Sequence, residues 1–135
     1  MITIATGKHR QYLLANDRHI SAEMLKRKIA QECVLIILQE DAPVGWLRWG
    51  YFWDEIPFMN MLHIAEAHRQ RGLGRRLVSN WHGRMRKAGY DIVMTSTLAD
   101  EPAQHFYRKL GYVDSGALFL PKEAAELILI RRFTG

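Results

Sequence analysis

The feature that most constrains this chain is a basic, glycine-punctuated turn that runs directly into an amphipathic segment. The turn spans residues 69–76 with the sequence RQRGLGRR, and the segment predicted to be helical spans residues 77–88. Gly72 and Gly74 permit backbone angles that other residues avoid, so the N–H groups at the start of a helix can approach a ligand closely. These N–H groups and the helix dipole favour an anion. The turn therefore predicts a phosphate-binding loop.

The charge of the turn supports the same interpretation. Arginines occupy positions 69, 71, 75 and 76. A solvated helix start with a basic face is the alternative, but basic residues at a helix N-terminus oppose its dipole and cost stability unless an anion binds. The loop is not a P-loop, because G-x-x-x-x-G-K-S/T is absent, and Leu77 occupies the third glycine position of a dinucleotide fingerprint.

Three short motifs in order resemble those of the GNAT superfamily of N-acetyltransferases. Arg69, Gly72 and Gly74 fill the family's pyrophosphate-loop pattern, Q/R-x-x-G-x-G/A. Upstream, residues 62–64 (LHI) match the strand end that precedes this loop. Downstream, residues 103–112 (AQHFYRKLGY) match the family's second motif, A-x-x-F-Y-x-K-L-G-F/Y. The resemblance is specific from residue 62 to residue 112 and only architectural outside it.

The resemblance implies an α/β fold: a GNAT-like mixed, mostly antiparallel central sheet of about six to seven strands, with helices on both faces. At 135 residues the chain is expected to be a single domain, residues 1–135. Strands are predicted at residues 2–6, 33–38, 44–51, 56–65, 91–97, 112–120 and 125–133. Helices are predicted at residues 8–15, 22–31 and 77–88 and from an Asp100 cap to Gly111, with Ser21 capping the second helix. Met24, Leu25 and Ile29 are expected on the inner face of that second helix.

The resemblance also implies acetyl-CoA as cosubstrate and assigns residues to it. The predicted cofactor-binding residues are Leu62, His63, Ile64, Arg69, Gln70, Arg71, Gly72, Leu73, Gly74, Arg75, Asp100, Phe106 and Tyr107. Backbone N–H groups at residues 62–64 would hold the acetyl carbonyl. Tyr107 matches the family's tyrosine that protonates the departing thiolate; from the residues alone, it could equally pack on the inner face of its helix.

The general base is harder to assign from the sequence. The attacking amine has a pKa of about 10 and must lose a proton. Many GNATs carry a carboxylate where this chain has Phe58, so Glu55 is predicted as the base, with Asp54 as its alternative. Asn60 or His63 ordering a water is a second possibility. Asp100 stands where the family frequently has an asparagine that contacts the cofactor. A carboxylate lacks the N–H donor of the asparagine amide.

An aromatic stretch lies on the third predicted strand. Trp46, Trp49, Tyr51, Phe52 and Trp53 precede the acidic pair at residues 54 and 55. Such aromatics can pack in the core, or they can form an acceptor pocket that holds an amine-bearing substrate. The sequence leaves both interpretations open.

Composition limits the remaining possibilities. A net charge of +5 and a pI near 9.6 favour an anionic partner. Cys33 is the single cysteine, and residues 63–68 (HIAEAH) lack zinc-ligand spacing, so no metal is expected. Neither a membrane span nor a signal peptide is indicated, which predicts a cytoplasmic protein with no membrane partner.

The leading hypothesis is an acetyl-CoA-dependent N-acetyltransferase. It would act on a primary amine of a small molecule, peptide or protein, by direct attack in a ternary complex. A non-catalytic acyl-CoA-binding module is the alternative, and nucleic-acid binding ranks last because no such motif is present. Many GNATs dimerise, so a homodimer is the expected oligomer if the protein is not a monomer. The final strand is predicted to offer an exposed edge for this contact.

Overall fold

A seven-stranded sheet organises the computed structural model, which describes residues 1–133. The strands are β1 (Ile2–Ile4), β2 (Val34–Gln39), β3 (Ala42–Phe52), β4 (Ile56–Ile64), β5 (Ile92–Leu98), β6 (Val113–Leu118) and β7 (Glu126–Arg132). The helices are α1 (Arg10–Asn16), α2 (Ala22–Ala30), α3 (Leu73–Lys87) and α4 (Ala103–Lys109), with 3-10 turns at Gly7–His9 and Glu66–His68. The sheet order is β1-β2-β3-β4-β5-β7-β6. β4 and β5 pair in parallel, while β1 with β2, β2 with β3, β5 with β7 and β6 with β7 pair antiparallel. The predicted mixed α/β sheet is confirmed.

The chain forms two compact units. Unit 1 contains Met1–Trp49 and Met61–Trp81, and unit 2 contains Gly50–Asn60 and the residues from His82 onward. The sequence predicted a single domain, and that remains a prediction. In the part of the chain described here, residues 1–133, no helix combines the length and apolar character needed to cross a bilayer.

Unit 1 has helices on both faces of its strands. On one face, Trp46 of β3 belongs to a core cluster with Leu13 of α1 and Leu25 of α2. On the other face, Trp49 packs against Trp81 of α3, with ring centroids 6.1 Å apart. Trp46 and Trp49 lie on opposite faces because side chains alternate along a strand and these two residues are three positions apart.

A buried ion pair ties β3 to the end of α1. The guanidinium Nε of Arg48 donates to the Asp17 carboxylate at 3.0 Å, and both side chains are almost fully buried. Asp17 also accepts a hydrogen bond from the backbone N–H of His19. A buried charge without a partner would cost several kcal/mol, so each member requires the other.

The last strand of unit 2 is interior rather than peripheral. β7 pairs with β5 along seven residue pairs from Ile92↔Arg132 to Leu98↔Glu126, and with β6 on its other side. The expectation that the final strand offers an exposed edge is therefore wrong: β6 holds the edge. Every residue of β6 is exposed, including Val113 and Leu118.

Helix ends account for most differences from the sequence predictions. α3 begins at Leu73, four residues earlier than predicted, so Gly74 and the following arginines form its first turn. Asp100 does not cap α4: the N-cap is Pro102, whose side chain has no hydrogen-bonding group. Ser21 does cap α2, accepting from the Met24 N–H at 3.1 Å, and Gly89 ends α3 with a φ of 101°. The side chain of Met24 is exposed rather than part of the inner face.

A polar network lies inside unit 2. His82 Nε2 is 2.8 Å from the hydroxyl of Tyr112, and Arg131 approaches the His82 Nδ1 at 3.1 Å. Because a guanidinium can only donate, Nδ1 accepts and Nε2–H donates to Tyr112, so the imidazole is neutral. Burial, together with the charge of Arg131, lowers the pKa of His82 from 6.5 to about 4.

This lowered pKa predicts an acid-sensitive stability. An unfolded histidine binds a proton below about pH 6.5, whereas folded His82 does so only near pH 4, so protons favour the unfolded state in this window. We expect His82 to remove about 3 kcal/mol from the free energy of unfolding as the pH falls from 7 to 4. Urea unfolding of the wild type and of His82→Gln measures this. The variant should be less stable at pH 7, and the difference should shrink toward pH 4; parallel pH dependences would contradict the assignment.

Candidate active site

The end of β4 is fixed by an unusually close approach of β3. A Cβ added to Gly45 would lie 2.5 Å from the carbonyl oxygen of His63 and 2.7 Å from the Cδ1 of Ile64. Only glycine fits here, because the nearest atom belongs to the backbone and cannot move aside. The Ala65 N–H also donates to the Val44 carbonyl at 2.8 Å. Sequence reasoning missed Gly45, although an isolated glycine inside a strand is a signal of close backbone approach.

Arg69 holds the loop that follows β4. Its Nε donates to the Ile64 carbonyl at 2.8 Å, and its own N–H bonds the carbonyl of Glu66 in the intervening 3-10 turn at 3.3 Å. The first residue of the pyrophosphate-loop pattern therefore folds back on the strand end. Its role as a cofactor-binding residue remains a prediction.

The loop then turns sharply into α3. Gln70 and Gly72 have positive φ values of 65° and 75°, and a Cβ added to Gly72 would contact nothing within 4 Å. The first helical hydrogen bond runs from the Arg76 N–H to the Gly72 carbonyl at 3.0 Å. The preceding N–H groups of residues 73–75 have no helical acceptor, as at any helix start. Gly72 thus leaves open space directly beside these donors.

The electrostatics of this helix start favour an anion. The first turn of α3 contains no acidic residue, and the side chains of Arg71, Arg75 and Arg76 are exposed. The apolar face of the helix compensates for the unfavourable charge: Leu77, Val78 and Trp81 are completely buried, and Leu73 nearly so. Packing therefore holds the helix in place while its basic end faces solvent.

Residues 62–64, predicted to contact the acyl-CoA, are half-buried. The ring of His63 packs on Trp46 with centroids 4.6 Å apart. Burial is the main cause that lowers the His63 pKa, and the charge of Arg69 lowers it further, while Asp17 acts in the opposite direction. Within the described residues 1–133, no three His, Cys, Asp or Glu side chains form a metal-binding group.

Tyr107 lies in unit 2 and is buried, with 7% of its surface exposed. Its ring contacts Phe106 and Tyr112, with centroids 5.3 and 5.7 Å away. Burial raises its pKa to about 12, while the side chain of Thr95 acts in the opposite direction. At neutral pH the phenol is therefore protonated and is a potential proton donor. Thr95 was not among the predicted site residues.

The remaining predicted residues of unit 2 are less enclosed. Glu55 closes a tight turn between β3 and β4, where its N–H bonds the Phe52 carbonyl at 3.0 Å and its side chain is exposed. Trp53 and Asp54 occupy the turn with positive φ values of 56° and 59°. Asp100 is exposed, whereas Phe106 is half-buried.

The aromatic residues of β3 and the following turn differ in burial. Trp46 and Trp49 are buried on opposite faces of β3, and Trp53 is 75% exposed in the turn. Tyr51 is also exposed and contacts Tyr90, with centroids 5.9 Å apart. Core packing, one of the two interpretations that the sequence left open, therefore explains Trp46 and Trp49.

Comparisons with known proteins agree with this fold. A family model described as an acetyltransferase (GNAT) domain matches residues 30–114, more than half of the chain. No match was found among curated protein sequences. Among solved structures, Ard1 from Thermoplasma volcanium superposes with a TM-score of 0.85 at 14% identity, covering 100% of this chain and 98% of that one.

Two further structures share the fold. Ribosomal-protein-alanine N-acetyltransferase from Brucella melitensis has a TM-score of 0.82 and 18% identity, covering 98% of this chain and 99% of that one. A streptothricin acetyltransferase from Bacillus anthracis, in complex with acetyl coenzyme A, has a TM-score of 0.69 and 20% identity, covering 75% of this chain and 62% of that one. The chain belongs to the GNAT acetyltransferase family.

Proposed function

We propose that this protein transfers an acetyl group from acetyl-CoA to a primary amine by direct attack in a ternary complex. The observation that carries the proposal is the basic start of α3, where Gly72 leaves open space beside unpaired helical N–H groups. Acetyl-CoA bound to the related Bacillus anthracis structure supports the choice of cosubstrate. The thioester supplies the activated acetyl group.

In this proposal the α3 start binds the pyrophosphate. The N–H groups of residues 73–75 donate to phosphate oxygens, and Arg71 and Arg75 add positive charge. Arg69 holds the loop against Ile64 through its Nε, and its terminal guanidinium N–H groups donate to the ligand. Backbone N–H groups of residues 62–64 orient the acetyl carbonyl.

Tyr107 is the proposed proton donor to the leaving thiolate. With a pKa of about 12 its phenol keeps its proton at neutral pH. A thiol has a pKa of about 8.5, so full proton transfer from such a phenol is unfavourable unless the resulting phenolate is stabilised. The Tyr107 phenol is therefore expected to donate a hydrogen bond to the leaving thiolate before the proton is transferred.

The chemistry of Tyr107 gives a direct test. Tyr107→Phe keeps the ring and removes the hydroxyl, so we expect kcat to fall about 100-fold while the Kd for acetyl-CoA changes little. Thiol release measured across a panel of small amines and peptide N-termini checks this, with Tyr12→Phe of α1 as the matched control. An active Tyr107→Phe variant would assign the proton donor elsewhere, whereas a wild type that binds acetyl-CoA without turnover would favour a non-catalytic acyl-CoA-binding module.

Glu55 is the proposed general base, acting through ordered water. It is the carboxylate at the start of β4, about 10 Å along the strand from Phe58, where many GNATs carry their carboxylate. An exposed side chain at that distance requires water to relay the proton. Because Phe58 occupies the position of the family's carboxylate, a non-catalytic acyl-CoA-binding module is the alternative function.

The role of Glu55 is tested by a pair of neighbouring substitutions. If it is the base, Glu55→Gln lowers kcat by about 100-fold. Asp54→Asn, in the same turn, should retain most of the activity. Equal effects of the two substitutions on kcat, or an unchanged kcat in Glu55→Gln, would transfer the role to a water ordered by Asn60 or His63.

The phosphate site makes a prediction in which stability and binding change in opposite directions. Arg75→Glu places an acid in the first turn of α3, where it suits the helix dipole, so the free protein should become slightly more stable. Its Kd for acetyl-CoA should nevertheless rise about tenfold. Lys87→Glu in the last turn changes the net charge equally and should leave the Kd unchanged. Thermal unfolding and calorimetric titration measure both quantities; equal Kd changes in both variants would indicate a non-specific charge effect.

The acceptor class is left broad, as a small-molecule, peptide or protein amine. Structures similar to this chain include one named as a ribosomal-protein-alanine N-acetyltransferase and one named as a streptothricin acetyltransferase. The assay panel therefore contains both peptides and small amines. A cytoplasmic location remains a prediction. So does a homodimer, for which the exposed edge strand β6 is the proposed contact.

A further inference from the structure

A surface pocket outside the candidate active site is lined by residues of α1 and α2, both in unit 1. Its volume of about 560 Å³ is within the range of ligand-binding clefts. Four charged and two small side chains line it: Arg10, Ala22, Glu23, Lys26, Arg27 and Ala30. None of these residues belongs to the pyrophosphate loop, the end of β4 or the surroundings of Tyr107. The proposed acetyl transfer therefore does not account for the pocket.

Small side chains flank a lysine along the face of α2 that lines the pocket. Ala22, Lys26 and Ala30 are spaced four residues apart, so they lie on the same face of the helix. The two alanine side chains end at Cβ and leave space on either side of Lys26. From Ala22 to Ala30 the helix rises about 12 Å, which is the length of about four residues of extended chain. The pocket is therefore long enough for a short peptide segment.

Two cations of the pocket have no counter-charge of their own. Arg27 pairs with Glu23 at 3.0 Å, in the i, i+4 arrangement that stabilises a helix. In the described part of the chain, residues 1–133, the ion pairs include neither Arg10 nor Lys26. Both of these side chains are exposed. They therefore give the pocket an excess of positive charge that the helix itself does not need.

The chemistry of the lining favours an acidic peptide over other ligands. Pockets for small molecules are mostly apolar, whereas this one is mainly charged. The Glu23 carboxylate would repel the phosphates of a nucleic acid, but it can accept a hydrogen bond from a peptide N–H group. An arginine binds a carboxylate through two parallel hydrogen bonds, and a lysine pairs with one as a point charge. The net charge of +5 on the whole chain also attracts an acidic partner.

We propose that this pocket binds an acidic peptide segment of a partner protein, with Arg10 and Lys26 pairing with carboxylates of the segment. Because Glu23 neutralises Arg27, the other two cations determine the affinity. The proposal goes beyond acetyl transfer, since none of the residues of the pocket takes part in the proposed reaction.

A binding measurement tests this interaction without any acetyl transfer. The probe is a peptide of alternating glutamate and glycine that is blocked at its N-terminus by fluorescein, so that it offers no primary amine. Fluorescence anisotropy measures its Kd for the wild-type protein. We expect Arg10→Glu and Lys26→Glu each to raise this Kd about tenfold, because each replaces an attraction by a repulsion. The same peptide with glutamine in place of glutamate should not bind.

Two charge reversals elsewhere are matched controls. Lys87→Glu, in the last turn of α3, changes the net charge equally and should leave the Kd unchanged. Arg75→Glu reports binding of the peptide at the basic start of α3, and the Kd should stay within about twofold of the wild type at physiological salt. An equal rise in all four variants would show a non-specific charge effect. A rise confined to Arg75→Glu would place the peptide at α3, and either result would overturn the proposal.

Ala30→Gln tests the pocket itself, because it adds volume without changing the charge. Residue 30 is exposed and glutamine is a good helix former, so the variant should fold; thermal unfolding checks this for every variant. We expect the Kd for the peptide to rise about threefold. An unchanged Kd would show that the peptide does not occupy the pocket, and would overturn the proposal.

A single-stranded oligonucleotide with the same number of negative charges distinguishes a nucleic-acid site. We expect it to bind more weakly than the peptide, because Glu23 repels its phosphates. Equal or tighter oligonucleotide binding that is weakened by Lys26→Glu would assign the pocket to nucleic acid instead. Absence of peptide binding to the wild-type protein would also reject the proposal, whether or not the protein transfers acetyl groups.

Discussion

The close approach of β3 to the end of β4 is the constraint on which the candidate phosphate site depends. At Gly45 a side chain would collide with the His63 carbonyl, so the strand end is fixed by backbone packing rather than by adjustable side chains. Arg69 then ties the loop to the same strand end through the Ile64 carbonyl. These two contacts together fix the position of the start of α3.

Charge and packing act separately along α3. Its basic first turn opposes the helix dipole and, by itself, disfavours the helix. Burial of Leu77, Val78 and Trp81 on the opposite face offsets that cost, since each large apolar side chain contributes about 1.5–3 kcal/mol when fully buried. A helix held by its core face can keep an unfavourable charge at its end available for a ligand.

Burial sets the chemistry of Tyr107 in the other unit. A phenol removed from solvent holds its proton tightly, which suits a donor but penalises the phenolate left behind. In the same unit the parallel pairing of β4 with β5 fixes the Thr95 hydroxyl at the Met59 carbonyl.

The sequence by itself determined the elements, the loop motif and the family, because hydrophobic period, glycine stops and motif spacing are local properties. It predicted the cap of α2 at Ser21 correctly. Only the tertiary structure decided that β7 lies inside the sheet, that Asp17 neutralises Arg48, and that the Thr95 hydroxyl donates to the Met59 carbonyl. These facts join residues far apart in sequence. Their pairing depends on strand order and burial, which no local pattern encodes.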